Sequence, residues 1–172
     1  MWVTPDQDPR TAGNPQGELA TYREYLTNYR LTLGMKCDGL DAEQLAQRSV
    51  PPSTLSLLGL VRHMAKVEHS WFRRVLEQQD LPRLYFSEED RDLDFNGAVG
   101  DDTVVAEAWE AWWREVVHAR KVYEELDLDT TVPVHGEATE TRDIIVHMVE
   151  EYARHVGHAD LLRECVDGRT GQ

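Results

Sequence analysis

Cysteine is nearly missing from this chain, which has only Cys37 and Cys165 in 172 residues. Without any short Cys spacing, a cysteine-based zinc ribbon is excluded, and the scarcity suits a reducing cytosol, the expected location. Each thiol is expected to pack as a small apolar side chain near a helix end. Positive charge is also short, with 18 Lys and Arg against 32 Asp and Glu and a formal net charge of −14. Phosphate backbones are repelled by such a chain, and no run of Lys and Arg offsets the balance, so nucleic acid is not an expected partner. No apolar run approaches the roughly 18–20 residues that cross a bilayer, so a membrane is not expected either. The stretch 1–17 holds Pro5, Pro9 and Pro15 with neither a basic nor an apolar region. It reads as a flexible lead-in to a single domain over 18–172, and not as a signal peptide. A glycine-rich phosphate loop, a Gly-x-Ser-x-Gly elbow and internal repeats are all lacking.

What is present is helical period. Leu19, Tyr22, Leu26, Tyr29 and Leu33 recur at three-to-four spacing and predict a helix from Glu18 to Asp38, closed by Gly39. A turn of helix over Asp41–Gln47 precedes Pro51-Pro52. Ser53 or Thr54 is placed to cap a second helix running to Gln79, with Leu57, Leu60, Val61, Met64, Val67, Trp71 and Val75 on one side. Thr103 opens a third to Leu126, striped by Val105, Trp109, Trp112, Val116, Tyr123 and Leu126. Leu128–Glu140 is a loop or at most a short strand pair. Thr139 or Thr141 begins a fourth helix that stops before Gly168. Four amphipathic helices with unequal connections imply an all-α fold, an antiparallel four-helix bundle with long crossing loops. Between Ser87 and Asp102, seven acids (Glu88, Glu89, Asp90, Asp92, Asp94, Asp101, Asp102) face one base, Arg91. That run reads as a long connection with room for a turn of helix, and as a solvated loop in preference to an acidic docking surface.

On a wheel of 100° per residue, Ile144, Ile145, Met148, Tyr152, Val156, Ala159 and Leu162 share one arc of the fourth helix. His155 lies inside it and Glu151 at its edge. Glu-x-x-x-His sets two ligand-type side chains one turn apart on one face, within reach of a single ion. His147 and His158 flank them. His63, at the edge of the second helix's stripe, would complete a three-ligand site with open positions. From spacing alone the plainer reading is favoured, that these are core-edge polar groups bonded to neighbours. Glu68 falls within the apolar arc of helix two. A buried link to an arginine, or a role in orienting a ligand histidine, accounts for it. Glu115-Val-Val-His118 has the di-iron spacing, but no second Glu-x-x-His accompanies it. Trp109, Trp112 and Trp113 are expected in core and bundle-edge packing, and His69, His118 and His135 at the surface.

Two longer motifs carry a resemblance. Leu55-Ser-Leu-Leu-Gly-Leu-Val-Arg-His63-Met-Ala-Lys-Val-Glu68-His-Ser-Trp71-Phe resembles the helix-two signature of the DinB-like superfamily, and more closely its actinobacterial mini-circle-type branch. His147-Met-Val-Glu-Glu151-Tyr-Ala-Arg-His155-Val-Gly-His158-Ala-Asp-Leu-Leu-Arg-Glu is similar to that branch's most recognisable motif, continued by Asp167-Gly-Arg-Thr-Gly. The resemblance spans Glu18 to Gly171 and implies a bundle, often dimeric, with a metal held by residues matching His63, Glu151 and His155. Most members have His at position 151 and Gln at 158. Glu151 is instead similar to the middle ligand of the mycothiol-dependent maleylpyruvate isomerases, which hold zinc. The resemblance thus implies a divalent ion, zinc first, with nickel, iron or manganese also suited. It implies a metal-dependent thiol S-transferase, or thiol-dependent isomerase, that joins a small-molecule thiol of the mycothiol type to an electrophile. A non-catalytic, dimeric metal-binding bundle is the alternative.

Overall fold

Gly17 and Gly39 bracket the first helix, α1 (Glu18–Cys37), and Gly39 takes the positive φ of 74° that releases the chain from it. The computed structural model describes residues 3–4, 6–10 and 13–171. The expected lead-in over 1–17 falls partly outside these residues. Within them, Arg10 pairs with Asp8 and its Nη1 donates to Thr32 Oγ1 on α1 at 3.3 Å. The short helix α2 (Ala42–Ala46) follows, with Asp41 and Gln44 forming a reciprocal capping box.

Helix α3 starts later than the sequence suggests, at Leu57. Ser53 Oγ is occupied in accepting from Leu55 N, so the cap passes to Ser56, whose Oγ accepts from Gly59 N at 3.0 Å. The helix keeps α geometry to Glu68 and continues as a π-helical stretch from His69 to Leu76. It does not reach Gln79 as expected. Glu77 N donates to Phe72 O, five residues back, and Gln78 turns out with φ 53°.

The acid-rich connection contains the turn of helix allowed for it, α4 (Leu93–Asn96), but it is not wholly solvated, because Asp94 is buried there. Helix α5 (Asp102–Glu124) is capped by Asp101, whose side chain accepts from Thr103 N and Val104 N, two residues before the Thr103 expected there. A hairpin then pairs β1 (Thr131–Val134) with β2 (Glu137–Glu140) in antiparallel register, Thr131 opposite Glu140. His135 and Gly136 both take positive φ, as a two-residue hairpin turn requires. Helix α6 (Thr141–Asp167) ends on Gly168 in the left-handed region.

The chain is therefore mostly helical, with one two-strand hairpin. Helix α3 packs mainly on α5 and α1 on α6, and contacts of α3 with both α6 and α1 join the two pairs. The expected stripes supply the core, from Leu26 and Leu33 through Leu57, Leu60 and Met64 to Val116, Ile145, Met148 and Tyr152. Of the tryptophans, Trp112 is buried and Trp113 is exposed. Cys37 is buried, with its thiol pushed up to about 12 by burial, whereas Cys165 is exposed, against expectation. No described helix is long and apolar enough to cross a membrane.

One buried polar network ties the four long helices together. Arg30 of α1 donates from Nε and Nη2 to the two oxygens of Glu68 at 2.8 and 2.9 Å. Tyr152 of α6 donates its hydroxyl to Glu68 Oε1 at 2.6 Å, and Trp112 of α5 donates Nε1 to that hydroxyl at 3.0 Å. This is the arginine link expected for Glu68. It satisfies a carboxylate that is wholly removed from solvent, a state that is costly when unpaired. At the end nearer the chain termini, Arg163 Nη1 donates to the carbonyls of Lys36 and Asp38, which closes the last turn of α1 onto α6.

Candidate metal centre

Tyr152 faces the core, so its neighbour Glu151 comes to the rim of α6, and His155 follows one turn later. Tyr152 is fully buried, whereas the side chains of Glu151 and His155 are 24% and 12% exposed. Across from them, His63 stands at the edge of α3 with its side chain 21% exposed. Ligand atoms from His63, Glu151 and His155 all lie within 4.8 Å of one another. Glu151 Oε2 is 3.3 Å from His155 Nε2 and 4.0 Å from His63 Nε2, and the two imidazole rings are 4.5 Å apart by centroid. The three residues singled out in the sequence therefore meet.

The far nitrogen of His63 settles what the near one can do. His63 Nδ1 is 2.8 Å from Asp94 Oδ2. An ionised carboxylate only accepts, so Nδ1 carries a proton and donates to Asp94, and Nε2 is the nitrogen that faces Glu151 and His155. Burial opposes the charge on Asp94, but contacts with His63 and Lys66 outweigh it and hold the carboxyl below its ordinary range. Lys66 Nζ donates to the same oxygen at 3.1 Å. Phe95, next to Asp94, stacks on the His63 ring with centroids 5.0 Å apart. Asp94 and Phe95 both belong to α4. Arg62 fastens that turn by donating to the carbonyls of Leu93 and Asp94 at 3.1 and 3.0 Å. Gly59 leaves room for it, since a Cβ there would stand 2.9 Å from Phe95 Cδ1.

His155 is supported in a similar way. Its Nδ1 lies 3.4 Å from Nδ1 of His158. Burial, followed by the charges of His155 and Arg154, lowers the His158 pKa. His158 thus addresses the far nitrogen of His155 and stands outside the converging set. His147 also stands outside it, with Nε2 3.3 Å from the other Glu151 oxygen and its ring 4.7 Å from that of Trp71. The contact with His155 holds the Glu151 carboxyl below its usual range against burial, helped by the charges of His155, His147 and His63.

Two imidazole nitrogens and a carboxylate oxygen pointing at one spot repel unless a proton or a cation lies between them. Tetrahedral zinc with bonds of about 2.0–2.2 Å places its ligands about 3.4 Å apart. The observed spacings need less than 1.5 Å of closure, and the nitrogen–oxygen donor set is one that zinc accepts. The residues fit a divalent ion.

The other candidates fall elsewhere. Glu115, of the di-iron-like pair, is buried and takes Arg73 Nε at 2.5 Å and Arg114 Nε at 3.0 Å, with His69 Nδ1 at 3.5 Å. His118 turns away to Glu77, 2.6 Å from Nε2. His69, expected at the surface, is buried, with Nε2 3.0 Å from the Pro82 carbonyl of the connection that follows the helix. His135 is exposed at the hairpin turn. Asp94 is the residue that the sequence did not reveal. Its one signal was the apolar pair Leu93 and Phe95 on either side of it, unusual inside an acid run.

A cavity of about 580 Å³ opens beside the triad, lined by Lys66, Ser70, Trp71, Arg74, Val75, Gln78, Arg83, Phe86, Arg91 and the hairpin residues Pro133–His135. Lys66, bonded to Asp94, and Trp71, packed on His147, are shared between the cavity and the cluster.

Helices, donor triad and cavity describe a mostly helical protein with a group of residues that could hold a metal ion. A family model described as mycothiol-S-transferase matches residues 21–168. The chain belongs to this family, a member of the DinB-like superfamily, and membership supports a thiol S-transferase-like function with a small-molecule thiol as partner. No curated protein and no solved structure gives a match.

Proposed function

We propose that this protein is a divalent-metal-dependent thiol S-transferase, built on a four-helix bundle in which α1 and α6 run parallel, α3 and α5 run parallel, and the two pairs oppose each other, and that it joins a mycothiol-type thiol to an electrophilic small molecule. The observation that carries the reading is the convergence of His63, Glu151 and His155, with the outer nitrogens of both histidines already engaged by Asp94 and His158. Metal-binding histidines are oriented in this way, by a partner on the nitrogen that does not bind. Zinc suits the donor set first, and nickel, iron and manganese follow.

An ion held by three side chains, with a position left open, supplies a thiol-binding point that lowers the thiol pKa. The chain's own residues do the rest. Asp94 fixes the His63 tautomer. His147, in contact with Glu151 and Trp71, is placed between the cluster and the cavity to receive the thiol proton. The cavity holds the electrophile so that its reactive carbon meets the sulfur, converting an encounter between two molecules into a step within one complex. Sulfur then bonds to that carbon and the leaving group departs with its electron pair.

Elemental analysis of the purified protein should find about one divalent ion per chain, lost in His63→Ala and in His155→Ala, with mycothiol conjugation lost alongside it. A folded, metal-free protein that takes up neither zinc nor nickel would rule the reading out. The expected homodimer stays part of the proposal. Trp113 and Val117 are exposed one turn apart on α5 and offer it a face, which light scattering on Trp113→Glu examines.

A further inference from the structure

The cavity beside the triad has a charge opposite to that of the protein. The chain carries a net −14, yet four of the cavity's lining residues are the cations Lys66, Arg74, Arg83 and Arg91, and no carboxylate lines it. These residues are scattered in the sequence, so no basic run announced them, and the fold alone gathers them. Glu88 and Glu89 belong to the same connection as Arg83 and Arg91, but they are exposed and form no part of the wall.

The arginines are not used up by the structure around them. Lys66 is committed to Asp94 Oδ2 and to the Arg91 carbonyl. Arg74 spends only Nε, on the Leu81 carbonyl at 2.8 Å. Arg83 lies over the Phe86 ring, 4.9 Å from its centroid. Among the described residues, none of these three arginines is paired with a carboxylate. Free guanidinium forks beside Trp71 and Phe86 combine oxyanion recognition with an apolar wall. Clustered cations at the mouth of a cleft also raise the local concentration of anions, against the repulsion of the remaining surface.

We infer that the electrophile carries an oxyanion, a carboxylate in the first instance, on an apolar body, and that Arg74, Arg83 and Arg91 select it. This substrate class rests on the S-transferase reading above. The charge of the cavity, however, is readable by binding alone, without metal, thiol or turnover.

The first measurement is calorimetric binding of unreactive probes to the full chain: 4-methylbenzoate and phenyl phosphate, each against neutral 4-methylbenzamide. At least tenfold tighter binding of one anion than of the amide is expected, and which anion wins identifies the oxyanion. Arg74→Gln and Arg91→Gln, separately and combined, should each erode that preference by about threefold or more while leaving the amide unchanged. Should the variants fail to fold, the wild-type comparison of anion with amide still decides. Equal binding of all three probes overturns the inference.

The second measurement is mycothiol conjugation of 4-(bromomethyl)benzoate and 4-(bromomethyl)benzamide. The thiol sulfur bonds to the benzylic carbon as the carbon–bromine bond breaks, bromide leaves with the pair, and the thiol proton passes through His147 to solvent. The benzoate should have at least tenfold higher kcat/KM. Anion binding without any conjugation refutes the transferase reading and leaves the cavity's charge selectivity standing. Equal conjugation of both electrophiles, with no binding preference, does the reverse.

Discussion

His63 Nδ1 and Asp94 Oδ2 stand 2.8 Å apart, although 31 positions separate them in the chain. The contact makes a residue of the acid-rich connection part of the candidate centre. Removing the Asp94 charge while keeping its shape should therefore reach the metal without touching a ligand. Asp94→Asn is expected to weaken zinc binding by about 10–100-fold, the usual cost of losing such a partner. Competition with a chelating dye measures it, and the helical circular-dichroism signal should stay unchanged. Unaltered affinity would assign Asp94 to packing alone.

Gly59 gives a sharper version of the same test. Gly59 lies in the first turn of α3, where Gly59→Ala gains part of the about 1 kcal/mol that alanine gains over glycine in a helix interior. The approach of the new Cβ to the capping Ser56 Oγ at 3.1 Å offsets that gain. The same Cβ would meet Phe95 at 2.9 Å and displace α4 from the His63 ring. The expected result is a protein of near-native stability with weaker zinc binding. Full affinity in this variant would mean that α4 can shift without disturbing His63.

The Arg30–Glu68–Tyr152–Trp112 network predicts unequal costs. Arg30→Met strands a carboxylate with no solvent exposure and should destabilise the fold by about 3–5 kcal/mol. Tyr152→Phe removes one neutral donor and should cost about 1–3 kcal/mol. Urea unfolding curves compare the two directly. A smaller loss for Arg30→Met than for Tyr152→Phe would contradict this account of the network.

Glu115 sets an acid limit on stability. Burial pushes its pKa up, but contacts with His69, Arg73 and Arg114 outweigh burial and bring it from 4.5 to about 2. A carboxyl depressed in the fold binds fewer protons there than in the unfolded chain. Its contribution is present in full above pH 4.5 and is lost as pH falls toward about 2. Glu115→Gln should be less stable at neutral pH and should lose less on acidification, so the two stability curves converge below pH 4.5. Parallel curves would show that Glu115 has no such role.

Much of this arrangement was legible in the sequence, because helical periodicity is local. The seven apolar positions expected on the inner arc of α6 are all buried, and that arc brings Glu151 and His155 to one face. Glu68 announced a buried arginine link, although the pattern did not say that Arg30 would supply it. The failures share a cause. His69 was misplaced because its partner, the Pro82 carbonyl, lies on the connection beyond the helix, which a helical wheel does not place. Asp94 went unseen because its partner is on another element, and composition classed its surroundings as solvent-facing. The cations of the cavity are likewise dispersed along the chain and meet only through folding.

The way α4 is fastened constrains how this chain can vary. Surface connections ordinarily tolerate insertions and deletions, and an acid-rich one would seem the freest of all. Here Arg62 and Lys66 hold the backbone from Arg91 to Asp94, so its length is fixed between His63 and the carboxylate that serves it. A residue removed between Arg91 and Asp94 would draw Asp94 out of reach of His63. The segment that looks most expendable is a spacer of set length.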